Sequence, residues 1–243
     1  MYQNKIMLVT GAYRGIGKEI VNYFANFGVN IIMTYHNKVN ETKELASLIC
    51  DQYHVNVDCY YLDLANEKSV NDLSLYVKDK YGKLDYLVNN ASLSLDSYLY
   101  DKTKDEFMSV LEVNVVGTFL MMKYFDKIVE GFIFNMSSTD GIDTGSVYSV
   151  DYNASKAAIN SITKTFALES NNKIISICPN WVDVISTREI DSNYLDSELK
   201  RIKQDKLIDV KVIPKVIDDC IKNNITTGSI IRIEGEDDVR RVS

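Results

Sequence analysis

Proline is nearly absent from this chain: Pro179 and Pro214 are the only two in 243 residues. No proline-rich linker marks a domain boundary, and no repeat or low-complexity stretch does so either. Histidine is as scarce, with His36 and His54 alone, and no His-Glu-x-x-His occurs. The four cysteines (Cys50, Cys59, Cys178, Cys220) include no Cys-x-x-Cys pair. The supply of ligands therefore predicts no metal site. Histidine-based nucleophilic catalysis is poorly provided for, and the cysteines read as buried, reduced thiols. Basic charge is short too: 27 Lys and Arg against 34 Asp and Glu give a net charge of −7. That balance argues against a nucleic-acid or anionic-membrane surface. No apolar run reads as approaching a membrane span. The N-terminal apolar residues are too few for a signal peptide, so the expected location is cytoplasmic.

What is present is a globular composition, 46% hydrophobic and 25% charged, enough for one large core. Short apolar runs near residues 5–10, 29–35, 56–62, 84–89, 131–136, 173–178 and 229–234 read as strands. They alternate with amphipathic stretches near 15–27, 40–53, 66–80, 103–126, 152–170 and 212–223. The alternation predicts one α/β domain over residues 1–243, a doubly wound parallel sheet of about seven strands with helices on both faces. Ligands of such sheets bind at the carboxyl ends of the strands, where the strand order reverses. Thr10-Gly11, Asp63, Asn89-Asn90-Ala91, Ser137-Ser138 and Pro179-Asn180 end successive strands and would share one rim. The polar, acidic stretch around 181–210, with short helical hints from Ser192 to Lys203, breaks the rhythm and reads as a loop and helix segment covering that rim.

Three of the eleven glycines fall within Gly11-Ala12-Tyr13-Arg14-Gly15-Ile16-Gly17, between an apolar run and an amphipathic helix. Strand, glycine turn and helix start leave unpaired amides and a positive dipole end aimed at one spot, which suits a pyrophosphate. Gly11 permits the turn, Gly15 close approach of a ligand, and Gly17 tight packing of helix on strand. The bland alternative is a tight βα turn and nothing more. Farther on, Tyr152 and Lys156 stand four apart at the start of a helix rich in small residues, and so share a face. An ammonium there is expected to lower the phenol's pKa and make it a usable proton donor or acceptor. Tyr76/Lys80, Tyr98/Lys102 and Tyr100/Lys104 share the spacing and read as surface coincidences.

Thr10 to Gly17, Asp63, Asn89-Asn90-Ala91, Asn114, Ser138, Tyr152 with Lys156, and Pro179, in this order, resemble the short-chain dehydrogenase/reductase family from Lys5 to about Glu234. The motif order is most similar to the 3-oxoacyl-acyl-carrier-protein reductase group. The resemblance implies a single NAD(P)-binding Rossmann-type domain and hydride transfer between a nicotinamide and a carbonyl or alcohol. It implies that Tyr152 passes the proton and that Lys156 holds the nicotinamide ribose. Ser138 would bond the substrate oxygen, with Ser137 as the fallback, and Asn114 would hold a relay water. An ordinary backbone-bonded asparagine is the alternative for Asn114. Gly11, Arg14, Gly15, Ile16, Gly17, His36, Asp63, Leu64, Asn90, Ala91, Pro179 and Val182 would join Tyr152 and Lys156 around the cofactor. Homo-oligomers, usually tetramers, formed through the helices near 103–126 and 152–170 are also implied. Phe119, Met122 and Phe125 are candidates for that contact, with the core as their alternative place.

NAD-specific sites end the second strand with an acid on the ribose 2′-hydroxyl. Here the strand ends Tyr35-His36-Asn37-Lys38, without one, while Arg14, His36 and Lys38 would attract a 2′-phosphate. NADP(H) is therefore the expected cofactor. Asp63 resembles the family's adenine-contacting acid, or is a cap. Departures from the family pattern are Ser92, Asn180, Val184 and Glu236. Asn180 stands where the family has glycine, and is expected to keep the turn because asparagine tolerates left-handed backbone. The expected activity is reduction of a ketone, a 3-oxoacyl thioester of acyl carrier protein or coenzyme A among the candidates. A sugar or polyol dehydrogenase, a catalytically weak dinucleotide-binding sensor and, less well supported, a methyltransferase are the alternatives. A docking patch for an acidic carrier protein would need Lys123, Lys127 and Lys164.

Overall fold

A computed structural model describes residues 2–242. In chain order the first half runs β1 (Ile6–Val9), α1 (Gly15–Ala25), β2 (Asn30–Tyr35), α2 (Val39–Tyr53), β3 (Val57–Tyr61), α3 (Glu67–Tyr81) and β4 (Leu84–Asn89). Then come α4 (Lys104–Leu111), a π-turn (Glu112–Val116), α5 (Gly117–Phe125), β5 (Val129–Met136), a 3-10 turn (Thr139–Gly141), α6 (Val150–Phe166) and β6 (Lys173–Pro179). The remainder is β7 (Val182–Asp183), α7 (Ile185–Arg188), α8 (Ser192–Arg201), β8 (Ile208–Asp209), α9 (Val212–Lys222), β9 (Ile230–Ile233) and β10 (Val239–Val242).

The main sheet has the order β10-β9-β6-β5-β4-β1-β2-β3. Seven of its strands are parallel and match the seven expected from sequence. The eighth, β10, is added antiparallel to β9 at the edge. It was missed because Val239-Arg240-Arg241-Val242 is exposed over most of its length and carries no apolar run. Alternation of side chains across the sheet explains why both faces are apolar. Met7 and Val9 of β1 pack with Phe24 of α1 and Ile217 of α9, whereas Leu8 between them packs with Leu73 of α3 and Met121 of α5. The chain leaves β1 toward β2 and β3, then returns to the other side through β4. The strand order thus reverses between β1 and β4.

Several expectations change. Lys104–Phe125 forms one 22-residue helical rod with mean hydropathy 1.2 in its most apolar stretch, so an apolar run of spanning length does exist. Its apolarity serves the core: Leu120, Met121, Met122 and Phe125 are buried against β1, β4 and β5. Met122 and Phe125 are therefore core residues rather than interface residues, and only Phe119 of that trio is exposed. Cys178 and Cys220 are buried, but Cys59 is half-buried and Cys50 is exposed. In the stretch 181–210 the helical hints form α8, and the strands β7 and β8, not expected, pair in parallel and frame α7 and α8.

Candidate active site

The reversal brings the ends of β1 and β4 side by side, and their side chains tie the two loops together. Thr10 Oγ1 accepts the amides of Asn90 and Ala91, both at 2.9 Å. Asn90 Nδ2 returns bonds to the carbonyls of Thr10 and Gly11. Gly11 and Gly15 have φ of +63° and +55°, in the left-handed region that favours glycine. A Cβ on Gly17 would lie 2.7 Å from the Gly11 carbonyl, so only glycine lets α1 start this close to the strand. Arg14 precedes α1 without capping it, and no acid stands in the first turn. In contrast, α3, α4 and α8 are capped by Asn66, Thr103 and Asp191. The uncapped start of α1, in a cradle of glycines, fits the diphosphate of a dinucleotide.

Around this cradle the other predicted residues divide. Arg14 is exposed, its guanidinium 5.4 Å from the Tyr13 ring centre. His36 is exposed beside Tyr61, and Lys38 is paired with Glu41 at 3.2 Å. Asp63 caps its own turn, Oδ1 accepting the Ala65 amide at 3.0 Å. Leu64 is buried where a Cβ on Gly117 would touch it. Val184 approaches Gly15, its Cγ1 3.7 Å from where a Cβ would stand, so the segment after Pro179 and Val182 meets the glycine turn. Asn180 is not among the residues with positive φ. The expected left-handed turn is absent; Asn180 is instead held by its amide on the Ile233 carbonyl and by Oδ1 accepting from Thr139.

Ser138 follows β5, Tyr152 and Lys156 stand in α6, and Asp140 bonds Ser138 and acts on the Tyr152 phenol. Ser137 Oγ donates to the Lys156 carbonyl at 2.8 Å and is thereby committed. Ser138 Oγ accepts the Asp140 amide at 3.1 Å, and its hydroxyl also bonds the Asp140 carboxylate. Lys156 is 2% exposed, donates Nζ to the Met136 carbonyl at 2.7 Å and lies 5.1 Å from the centre of the Tyr152 ring. Burial pulls its ammonium down to about 8. The Tyr152 phenol is raised, not lowered as the sequence led us to expect: burial dominates, and the carboxylates of Asp140 and Asp96 add to it. Asn114 lies in the π-turn, where its amide donates to the Leu93 carbonyl and to Ser155 Oγ and its Oδ1 accepts the Leu93 amide. Both amide hydrogens are thus engaged, and the side chain pins the chain after β4 to α6.

Sequence reasoning missed two features. Asp140, two residues beyond Ser138, takes a bond from Thr144 and is pushed up by burial. An acid so close to the serine was a readable signal. Lys102, read as a surface lysine, is 3% exposed and paired with Asp151, and no local pattern announces it. Tyr76 and Lys80 do touch, at 3.0 Å, but in a knot on Asp58 of β3, away from the rim. The covering segment is docked: Arg201 of α8 donates to the carbonyls of Thr144 and Gly145 at 2.8 and 2.7 Å, and Tyr194 bonds Ser146. Two cavities, of about 350 and 460 Å³, lie against α4 and at the β3 edge, and Tyr152 lines neither.

The chain matches the short chain dehydrogenase family over residues 5–195, and it belongs to that family of oxidoreductases. Among individual relatives it is similar to the 3-oxoacyl-acyl-carrier-protein reductase of Thermotoga maritima, 30% identical over 96% of this chain and 97% of that one. The reductase of the same description from Aquifex aeolicus is 31% identical over 76% of this chain and 77% of its own. A dehydrogenase/reductase structure from Sinorhizobium meliloti, 22% identical, superposes with a TM-score of 0.88 over 97% and 96% of the two chains, a likeness of fold.

Proposed function

We propose that the protein reduces a ketone to a secondary alcohol with NADPH, Tyr152 giving the proton. The observation that carries this reading is the buried Lys156 ammonium 5.1 Å from the centre of the Tyr152 ring and bonded to the end of β5, the strand that Ser138 follows. Gly11, Gly15, Ile16 and Gly17 would hold the diphosphate, with Asn90, Ala91, Pro179 and Val182 around the remainder. The bound cofactor supplies the hydride. Ser138 donates to the substrate oxygen and orients it. Tyr152, its pKa raised, stays protonated at neutral pH and is a donor waiting for a developing alkoxide. Lys156, mostly charged below about 8, places positive charge beside the phenol as its proton leaves.

The absence of an acid at the end of β2, with Arg14 and His36 exposed there, supports NADPH over NADH. For an acyl-carrier partner the support is thinner: Lys123 is neutralised by Glu67 at 2.9 Å and Lys127 lies 3.5 Å from Asp126. Asp140 and Asp96 near the phenol favour a second reading, a polyhydroxylated ketone whose hydroxyls donate to them. Exposed Met108, Val116 and Phe119 on α4, the π-turn and α5 support a homo-oligomer through this face.

The test compares initial rates with NADPH and NADH on 3-oxoacyl thioesters and on sugar or polyol ketones. NADPH oxidation that falls about 100-fold or more in Tyr152→Phe, with NADPH binding retained, is expected. A preference for NADH overturns the cofactor assignment, full turnover by Tyr152→Phe overturns the proton-donor mechanism, and NADPH binding without reduction of any of these ketones favours the sensor.

A further inference from the structure

Lys102–Asp151 is, among the described residues, the one ion pair with both side chains buried, 3% and 0% exposed, Nζ lying 2.9 Å from Oδ2. Asp151 stands directly before Tyr152 in the first turn of α6, and its Oδ1 accepts the Tyr152 amide at 2.9 Å. Its Oδ2 accepts no directed hydrogen bond, so the ammonium beside it provides charge neutralisation rather than an aligned bond. Lys102 also donates to the carbonyl of Leu95. The stretch 92–102 has no regular structure and is fixed at three points: Leu93 on Asn114, Leu95 on Lys102, and the Ser97 amide on the Tyr148 carbonyl at 3.0 Å.

A buried ion pair adds little to stability, because desolvating both charges offsets their attraction. Its effect falls on register: a lone charge left in this interior would be strongly unfavourable, so neither partner tolerates displacement. Here the partners belong to the chain after β4 and to the turn of α6 that presents Tyr152. We infer that Lys102 and Asp151 are positioning residues, locking the start of α6 and the Tyr152 hydroxyl to the chain that crosses between β4 and α4. The inference rests on Tyr152 as the proton donor.

The test uses the full chain with Lys102→Met/Asp151→Ala, which removes both charges together and avoids the bare charge that could unfold either single variant. Its melting midpoint, NADPH affinity, kcat and KM are compared with those of the wild type and of Tyr152→Phe. The expected result is a midpoint near wild type, NADPH affinity within about threefold, and kcat lowered by about tenfold or more, as a displaced proton donor requires. A merely structural pair would not produce that split. A double variant that folds and turns over at the wild-type kcat, beside an inactive Tyr152→Phe, overturns the positioning role alone. One that fails to fold assigns the pair to stability and overturns it as well. An active Tyr152→Phe removes the reading beneath it and overturns both.

Discussion

At the scale of the residue, Lys156 is a destabilising group kept at the candidate active site. It is buried, its Nζ bonds only the Met136 carbonyl, and its pKa falls to about 8. Between that value and the ordinary lysine value the unfolded chain binds the extra proton, so stability rises as pH climbs through this window. Below it the folded protein carries the full penalty of a charged, desolvated amine, about 3 kcal/mol at most. Lys156→Met is therefore expected to raise the denaturation midpoint at pH 7 while abolishing turnover, and to lose that advantage near pH 10.5. Urea titrations at the two pH values check it. The Tyr152/Lys156 pair was legible in the sequence because helical spacing and small neighbours are local properties. The raised phenol was not, since its main cause is burial, with Asp140 and Asp96 arriving from other segments. Lys102 and Asp151 were equally silent, being neighbours only after α4 and α6 pack.

At the scale of the element, the rod α4–α5 is interrupted by the π-turn Glu112–Val116, which carries Asn114 toward Leu93 and Ser155. Wide turns of this kind often occur at functional sites. Apolar periodicity located the rod but could not resolve the turn, because one extra residue barely disturbs an apolar pattern. The 3-10 turn after Ser138 has a stricter requirement. A Cβ on Gly141 would lie 2.4 Å from the Lys156 carbonyl carbon and 2.6 Å from the Ala157 nitrogen, both backbone atoms that cannot step aside. Gly141→Ala is expected to push Ser138 and α6 apart, destabilising the fold by about 2 kcal/mol and lowering kcat together. Thermal denaturation and initial rates on one preparation measure both effects. Gly235→Ala is the control: a Cβ there meets nothing within 4 Å, and its backbone is not in the left-handed region.

At the scale of the molecule, alternating strands and helices were legible because each strand needs apolar residues on both faces of a covered sheet. In the segment 181–210 the helix α8 was legible, but the two strands were not, since β7 and β8 are two residues each. Arg201 supplies much of the segment's docking through the Thr144 and Gly145 carbonyls, with Glu198 of the same helix holding its guanidinium. Arg201→Ala is expected to raise KM severalfold and to speed proteolysis within 184–207, leaving the cleavage pattern of the sheet core unchanged. Limited digestion with and without NADPH reads this directly. The short antiparallel strand at the far margin has a consequence of its own. Two arginines in β10 lie over a neighbour, Ile230-Ile231-Arg232-Ile233, that is buried along its whole length. Without that charged bumper, a greasy ribbon with open amides would face outward, inviting other molecules to stack on it. Deleting these four residues, remote from any chemistry, is expected to lower the soluble yield.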